Sequence, residues 1–189
     1  MTATPVVQPP SAESSSTAAS STIASTEQAP APWSSTPQAV YAPISSYGVI
    51  GDMRTAALVG LSGSIDWCCF PDFASSSTFA AILDADHGGR FQITPTGTHT
   101  SEQRYLPATN VLVTAFHGRT GTLELTDFMP VGPEGRRPGF AEIHRQVKCT
   151  RGQMDISITF APRFDYAVKP AHIIPRRNGL LATDDDNEA

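Results

Sequence analysis

Basic charge is scarce in this chain. Of 189 residues, 13 are Lys or Arg against 18 Asp or Glu, for a formal net charge of -5. That balance leaves no cationic footprint for nucleic acid or an anionic membrane surface. Long apolar runs are missing too: 40% of the residues are hydrophobic, yet no uninterrupted stretch approaches the ~20 residues that span a bilayer as a helix. Only three cysteines occur, with Cys68 and Cys69 adjacent and Cys149 far along the chain. Adjacency strains a mutual disulfide, so reduced and mostly buried thiols in a reducing compartment are expected. No Gly-Lys-Ser or Gly-Lys-Thr marks a phosphate loop, no CxxC occurs, and the five histidines are dispersed, so no metal or other cofactor is called for. Gly60-Leu61-Ser62-Gly63-Ser64 carries Ser64 where a nucleophile elbow needs its second spaced glycine; it reads as a hairpin turn.

What is present is unevenly placed. In residues 1–40, Ser, Ala, Thr, Pro and Gln fill 32 of the 40 positions and Glu13 and Glu27 are the only charges. Such a stretch buries too little apolar surface to offset its ordering entropy, and it is expected to be a disordered leader. No Lys or Arg opens it and no apolar region follows, so it does not read as a secretory signal; a cytoplasmic location is the default expectation. Residues 41–189 form the expected folded domain and hold 14 of the 15 aromatic residues.

From Tyr41 onward short strands alternate with turn residues. Thr55–Val59 and Ile65–Phe70 flank a turn with two glycines, Val111–His117 and Thr122–Met129 flank Gly118–Gly121, and Ile143–Cys149 and Met154–Phe160 flank Thr150–Gln153. All three read as hairpins. Ile156, Ile158 and Phe160 alternate with Asp155, Ser157 and Thr159, and Leu123 and Leu125 with Thr122, Glu124 and Thr126, the period of strands with one wet face. Ser75–Ser77 offers capping oxygens before Thr78–Asp84, and His87-Gly88-Gly89 supplies a stop, which predicts one short helix. The fold class is therefore mostly β, an antiparallel β-sandwich with one short helix. Asn178–Thr183 looks like a turn entering a further strand just before the closing acidic run. A sandwich cut there has an unpaired edge, so the domain is expected to be incomplete at its C-terminus.

Six carboxylates lie near aromatic or arginine residues: Asp52, Asp66, Asp72, Asp127, Glu142 and Asp165. Glycoside hydrolysis needs two carboxyl groups flanking the bond, one protonated and one ionised; spacing alone does not show which could face each other. Asp127 and Asp165 sit beside prolines and aromatics, where side-chain to backbone bonds end strands. Arg145 shares a strand face with Ile143, Val147 and Cys149. Its guanidinium either enters the apolar layer and takes Asp127, Asp165 or a neighbouring domain as partner, or snorkels from an edge strand.

The run Ile44-Ser45-Ser46-Tyr47-Gly48-Val49-Ile50-Gly51-Asp52-Met53-Arg54-Thr55-Ala56-Ala57-Leu58-Val59, followed by Gly63-Ser64-Ile65-Asp66-Trp67-Cys68, resembles the opening of glycoside hydrolase family 15 proteins of the trehalase and glucoamylase type. Gly88–Phe91, Tyr105–Leu112, Asp127–Pro130 and Pro162–Tyr166 match in the same order. Relatives usually carry a Pro-Arg-Phe-Asp-Ser-Pro-Ser type segment where this chain reads Pro71-Asp72-Phe73-Ala74-Ser75-Ser76-Ser77, which changes the charge pattern of that loop.

The resemblance implies an N-terminal β-supersandwich, a linker and an (α/α)6 barrel whose two glutamates hydrolyse α-glucosidic bonds with inversion, in trehalose or malto-oligosaccharides. Neither barrel nor glutamate motif is found in this sequence, so no residue here takes a catalytic role, and substrate is met only through the barrel partner. Asp66, Trp67, Asp72, Arg145, Arg163 and Asp165 are the candidates for a substrate rim or domain interface. A free-standing carbohydrate-binding module, with Trp67, Tyr105 or Phe140 as a platform, is the reading from another class, although Trp67 sits amid a hydrophobic strand and looks like core. A nonfunctional remnant is the third.

Overall fold

A computed structural model describes residues 41–131 and 141–184. The expected leader, Phe140 and the end of the acidic run lie outside the described residues. After a 3-10 turn at Ile44–Ser46, twelve strands follow among the described residues: β1 Tyr47–Gly51, β2 Ala56–Gly60, β3 Ser64–Cys69, β4 Ser77–Phe79, β5 Arg90–Pro95, β6 His99–Tyr105, β7 Leu112–Gly118, β8 Gly121–Phe128, β9 His144–Gly152, β10 Ile156–Ala161, β11 His172–Arg176 and β12 Gly179–Thr183. They build a six-stranded sheet in the order β1-β2-β3-β5-β10 with β4 beside the end of β3, a four-stranded sheet β6-β7-β8-β9, and a β11-β12 hairpin. Every described pairing is antiparallel.

The two larger sheets face each other across the core. Ile50, Ala57, Val59, Ile65, Cys68 and Phe79 of the first sheet pack with Leu112 and Met129, while Ile93 packs with Phe116, Leu123 and Leu125 of the second. Strand β8 shows why: its residues alternate buried and half-buried along the whole strand, so one face meets the opposite layer at the expected period. The side of the sandwich formed by β1 and β6 is closed by side chains that satisfy the free edge. Tyr105 accepts from the Val49 amide (2.7 Å) and donates to the Val49 carbonyl (2.9 Å), and Asn110 donates to the Gly51 carbonyl (2.7 Å).

Three expectations fail. The predicted Thr78–Asp84 helix is absent: Ser77–Phe79 is a strand paired with Cys68 and Cys69, and the Ala80 and Ala81 amides bond to the Gly88 and Gly89 carbonyls. Seven residues make too few intrahelical bonds to compete with sheet pairing. The predicted stop survives as a turn, with Asp84 accepting from the Asp86 and His87 amides. The third hairpin is also overturned, since β9 pairs with β8 in one sheet and β10 with β5 in the other. Gly152 turns the chain at φ +63° and it crosses between layers. Strand β10 forms, with Ile158 opposite buried Ile93, but its burial does not alternate: Ile156 and Ile158 are exposed like Ser157 and Thr159. Only Phe160 enters the core, against Phe79 and Phe91, and Ile158 remains exposed at the sheet edge.

The cysteines divide two to one. Cys68 and Cys69 are buried and Cys149 is exposed, all as free thiols. Burial pushes the Cys68 thiol up to about 12 and raises Cys69 as well, so neither supplies the reactive thiolate. A thiol-specific chromogenic reagent at neutral pH is expected to modify Cys149 alone in the folded protein and all three cysteines in denaturant. Rapid reaction of all three without denaturant would show that the β3 core is open.

Candidate functional site

Side chains forced into the left-handed region mark one end of the sandwich. Five non-glycine residues among those described have positive φ: Met53 (71°), Ala108 (56°), Asp165 (51°), Tyr166 (56°) and Ala167 (67°). The sheet registers, with the Tyr105–Val49 and Asn110–Gly51 bonds between the two sheets, place all five in loops at the end where β1, β3, β6 and β10 finish. The opposite end makes its left-handed turns with Gly63 and Gly152, which have no Cβ to clash. Each non-glycine residue of this kind costs on the order of 1–3 kcal/mol, and such strain concentrates at functional sites.

Asp165–Ala167 is one complete left-handed turn, and it is held on every side. The Val168 amide bonds to the Asp165 carbonyl and the Lys169 amide to the Phe164 carbonyl; the Asp165 amide bonds to the Ser77 carbonyl. Ser76 donates to the Asp165 carboxylate (2.9 Å), and the Tyr166 amide donates to the Ser77 hydroxyl (3.0 Å). The Tyr166 ring lies 6.0 Å from that of Trp67, tilted by 43°. Trp67 is half-buried on this outer surface rather than in the core. The Phe73 amide bonds to the Arg54 carbonyl, tying the β1–β2 loop to the segment after β3. The result is a rim on which Met53, Phe73, Tyr166 and Val168 are each at least half exposed. Beside it, an open cavity of about 320 Å³ is lined by Phe70, Ser76, Ser77, Thr78, Phe164, Asp165, Lys169 and Asp184; Lys169 and Asp184 form an ion pair at 3.5 Å.

The sequence candidates fall into two groups. Asp66 accepts from Tyr47 (2.9 Å) and Ser64 (2.5 Å), one residue before Trp67. Burial and that carboxylate push the Tyr47 hydroxyl up to about 12. Asp72 closes its own turn by accepting from the Ala74 amide and the Ser75 hydroxyl. Arg163 bonds through its amide to the Thr78 carbonyl and through its guanidinium to the Pro162 carbonyl. These residues and Asp165 belong to the loop end or the sheet next to it. Arg145 does not: it lies between the layers, with its side chain 3% exposed, and pairs with fully buried Asp127. Of the partners considered for Arg145 the structure selects Asp127, which is a core ion-pair member and not a strand terminator. Tyr105, 46% exposed, uses its hydroxyl to close a sheet edge. Sequence reasoning missed Ser76, Lys169, Asp184 and the left-handed turn; the Pro162–Tyr166 match pointed to the right segment, but nothing local foretells three consecutive left-handed residues without glycine.

Among the described residues no three His, Cys, Asp or Glu side chains gather as metal ligands, and no helix is long and apolar enough to cross a membrane. A family described as trehalase-like, N-terminal, matches residues 32–187. The chain is 42% identical over 149 residues to a trehalase of Thermoplasma volcanium, covering 77% of this chain and 24% of that protein. It is 40% identical over 135 residues to a trehalase of Thermoplasma acidophilum, covering 69% and 23%. A Mycolicibacterium smegmatis trehalase is 31% identical over 158 residues, covering 75% and 24%. The chain thus spans about a quarter of the length of the curated relatives it matches. No solved structure matches it significantly.

Proposed function

The chain belongs to the trehalase-like N-terminal family, and from that membership we propose that it is the non-catalytic β-sandwich of a glycosidase that cleaves α-glucosidic bonds, in trehalose or malto-oligosaccharides. The partner is an (α/α)6 barrel carrying the reactive glutamates, as the family 15 resemblance implies, and substrate is reached through that barrel. Three free thiols suit a cytoplasmic setting.

The observation that carries this reading is the strained, aromatic loop end. Met53, Phe73, Tyr166 and Val168 give it an exposed apolar rim, the kind of surface that marks an interaction site. Asp66, Trp67, Asp72, Arg163 and Asp165 lie on or next to it, and the Asp66–Trp67 strand and the Pro71–Ser77 loop face the barrel. Each carboxylate at its cavity has a protein partner, Asp165 in Ser76 and Asp184 in Lys169, and keeps further acceptor capacity; this suits support and binding more than acid and base work.

The purified chain is expected to release no glucose from trehalose, maltose or starch. Mixed with the Thermoplasma volcanium trehalase from which the matching N-terminal quarter has been deleted, it is expected to form a complex by size-exclusion chromatography and to raise trehalose hydrolysis. Glucose release by the chain alone, abolished by a point change within it, would overturn the proposal, as would failure to associate.

A further inference from the structure

We infer that the open cavity between the start of β4 and the left-handed turn is a binding site for one neutral sugar ring or a small glucoside. The site rests on the glycosidase reading only for the choice of glucose as the sugar. Its volume of about 320 Å³ is at the small end of the ~300–1,000 Å³ typical of ligand sites, enough for a ring or two and too small for a wrapped polysaccharide.

The lining matches the two surfaces of a pyranose. Phe70 and Phe164 offer aromatic rings for its C–H face. Ser76, Ser77, Thr78, Asp165, Lys169 and Asp184 offer a mixture of donors and acceptors for its hydroxyls, and carboxylates accept two such bonds at once with charge-assisted strength. Lys169 and Asp184 offset each other, leaving the Asp165 carboxylate to disfavour an anionic ligand. Ser76 already orients that carboxylate, and the strained turn fixes it on the cavity wall, so little ordering is left to be paid on binding. A larger cavity of about 700 Å³ at the opposite end has no Phe, Tyr or Trp in its lining to meet the C–H face of a sugar ring.

The test uses the full chain carrying Trp33→Phe, which leaves Trp67 as its only tryptophan, with trehalose and methyl α-glucoside as probes and inorganic phosphate as a control. Saturable fluorescence change is expected with both sugars, accompanied by amide chemical-shift changes confined to residues 76–78 and 164–169. Asp165→Asn keeps the shape and tolerates the left-handed backbone, and it is expected to weaken binding at least tenfold with an unchanged melting temperature; Ser76→Ala should weaken it less. No saturable response, shifts centred on the opposite cavity, tighter response to phosphate, or unaltered binding by Asp165→Asn would each overturn the site. Complex formation with the deleted Thermoplasma volcanium enzyme is scored separately. Association without sugar binding removes this site and leaves the domain reading, and sugar binding without association does the reverse.

Discussion

Arg145→Met is expected to destabilise the domain by about 3–5 kcal/mol, because it strands a carboxylate in the core. Asp127 is 0% exposed and lies directly opposite Arg145 across β8 and β9. The guanidinium holds it with two bonds, Nε to Oδ1 at 2.8 Å and a terminal nitrogen to Oδ2 at 3.2 Å. The same group crosses to the other sheet, donating to the carbonyls of Phe91 (2.5 Å) and Gly63 (2.7 Å) and lying 4.8 Å from the centre of the Phe91 ring. It is a polar rivet through an apolar sandwich. Burial pushes the Asp127 carboxyl above the ordinary carboxylate range while Arg145 pulls it back. In the Met variant only the upward push remains. A carboxyl raised in the folded state stabilises most at low pH and loses that contribution as pH rises, so the deficit of the variant should shrink between about pH 7 and about pH 5. Denaturant unfolding at both pH values measures this; a deficit that grows on acidification would refute it. Adding Asp127→Leu should recover part of the loss but not all, since the Phe91 and Gly63 carbonyls still lack their donor, at about 1–3 kcal/mol for each buried group left unpaired.

Gly63→Ala should be nearly as damaging, at about 3 kcal/mol or more. Gly63 has φ +74°, a region that costs alanine about 1–2 kcal/mol, and a methyl group there would run into the Ile93 carbonyl oxygen and lie 3.0 Å from the Phe116 ring. Backbone cannot rotate aside as a flexible side chain does, so the turn itself must move. That movement also drags the Gly63 carbonyl away from the Ile93 amide and from Arg145, so the two substitutions are coupled and their combined cost should fall short of the sum. Gly97→Ala, where nothing lies within 4 Å, is the matched control and should change stability by less than about 0.5 kcal/mol. Equal melting temperatures for the two alanine variants would show that the Gly63 turn is not tightly packed.

Particular elements show what a one-dimensional pattern carries. The alternation of Leu123 and Leu125 with Thr122, Glu124 and Thr126 translated directly into β8, since strand period and burial face are local properties. The two hairpins flanking Gly60–Gly63 and Gly118–Gly121 were equally legible, their partners being only a few residues apart. Strands β9 and β10 look just as adjacent in sequence, yet they lie in different sheets; period-2 alternation reads the same whichever neighbour a strand takes. The Thr78–Asp84 segment had caps and a stop for a helix, but the exposed edge of β3 offered Ser77–Phe79 cross-strand bonds that no local rule weighs.

The amino-acid sequence alone determined that this is an antiparallel β domain, which residues of β8 face inward, that Arg145 needs an acidic partner if buried, and which family motifs the chain carries. Tertiary structure decided that the partner is Asp127 and not Asp165, that the chain changes layers after Gly152, and that Ser76, Asp165, Lys169 and Asp184 share one cavity beside a left-handed turn. The division follows from the physics. Side-chain period and turn chemistry are set by the nearest few residues, whereas ion-pair choice, sheet membership and strained loops depend on groups tens of residues apart that only the packed sandwich brings together.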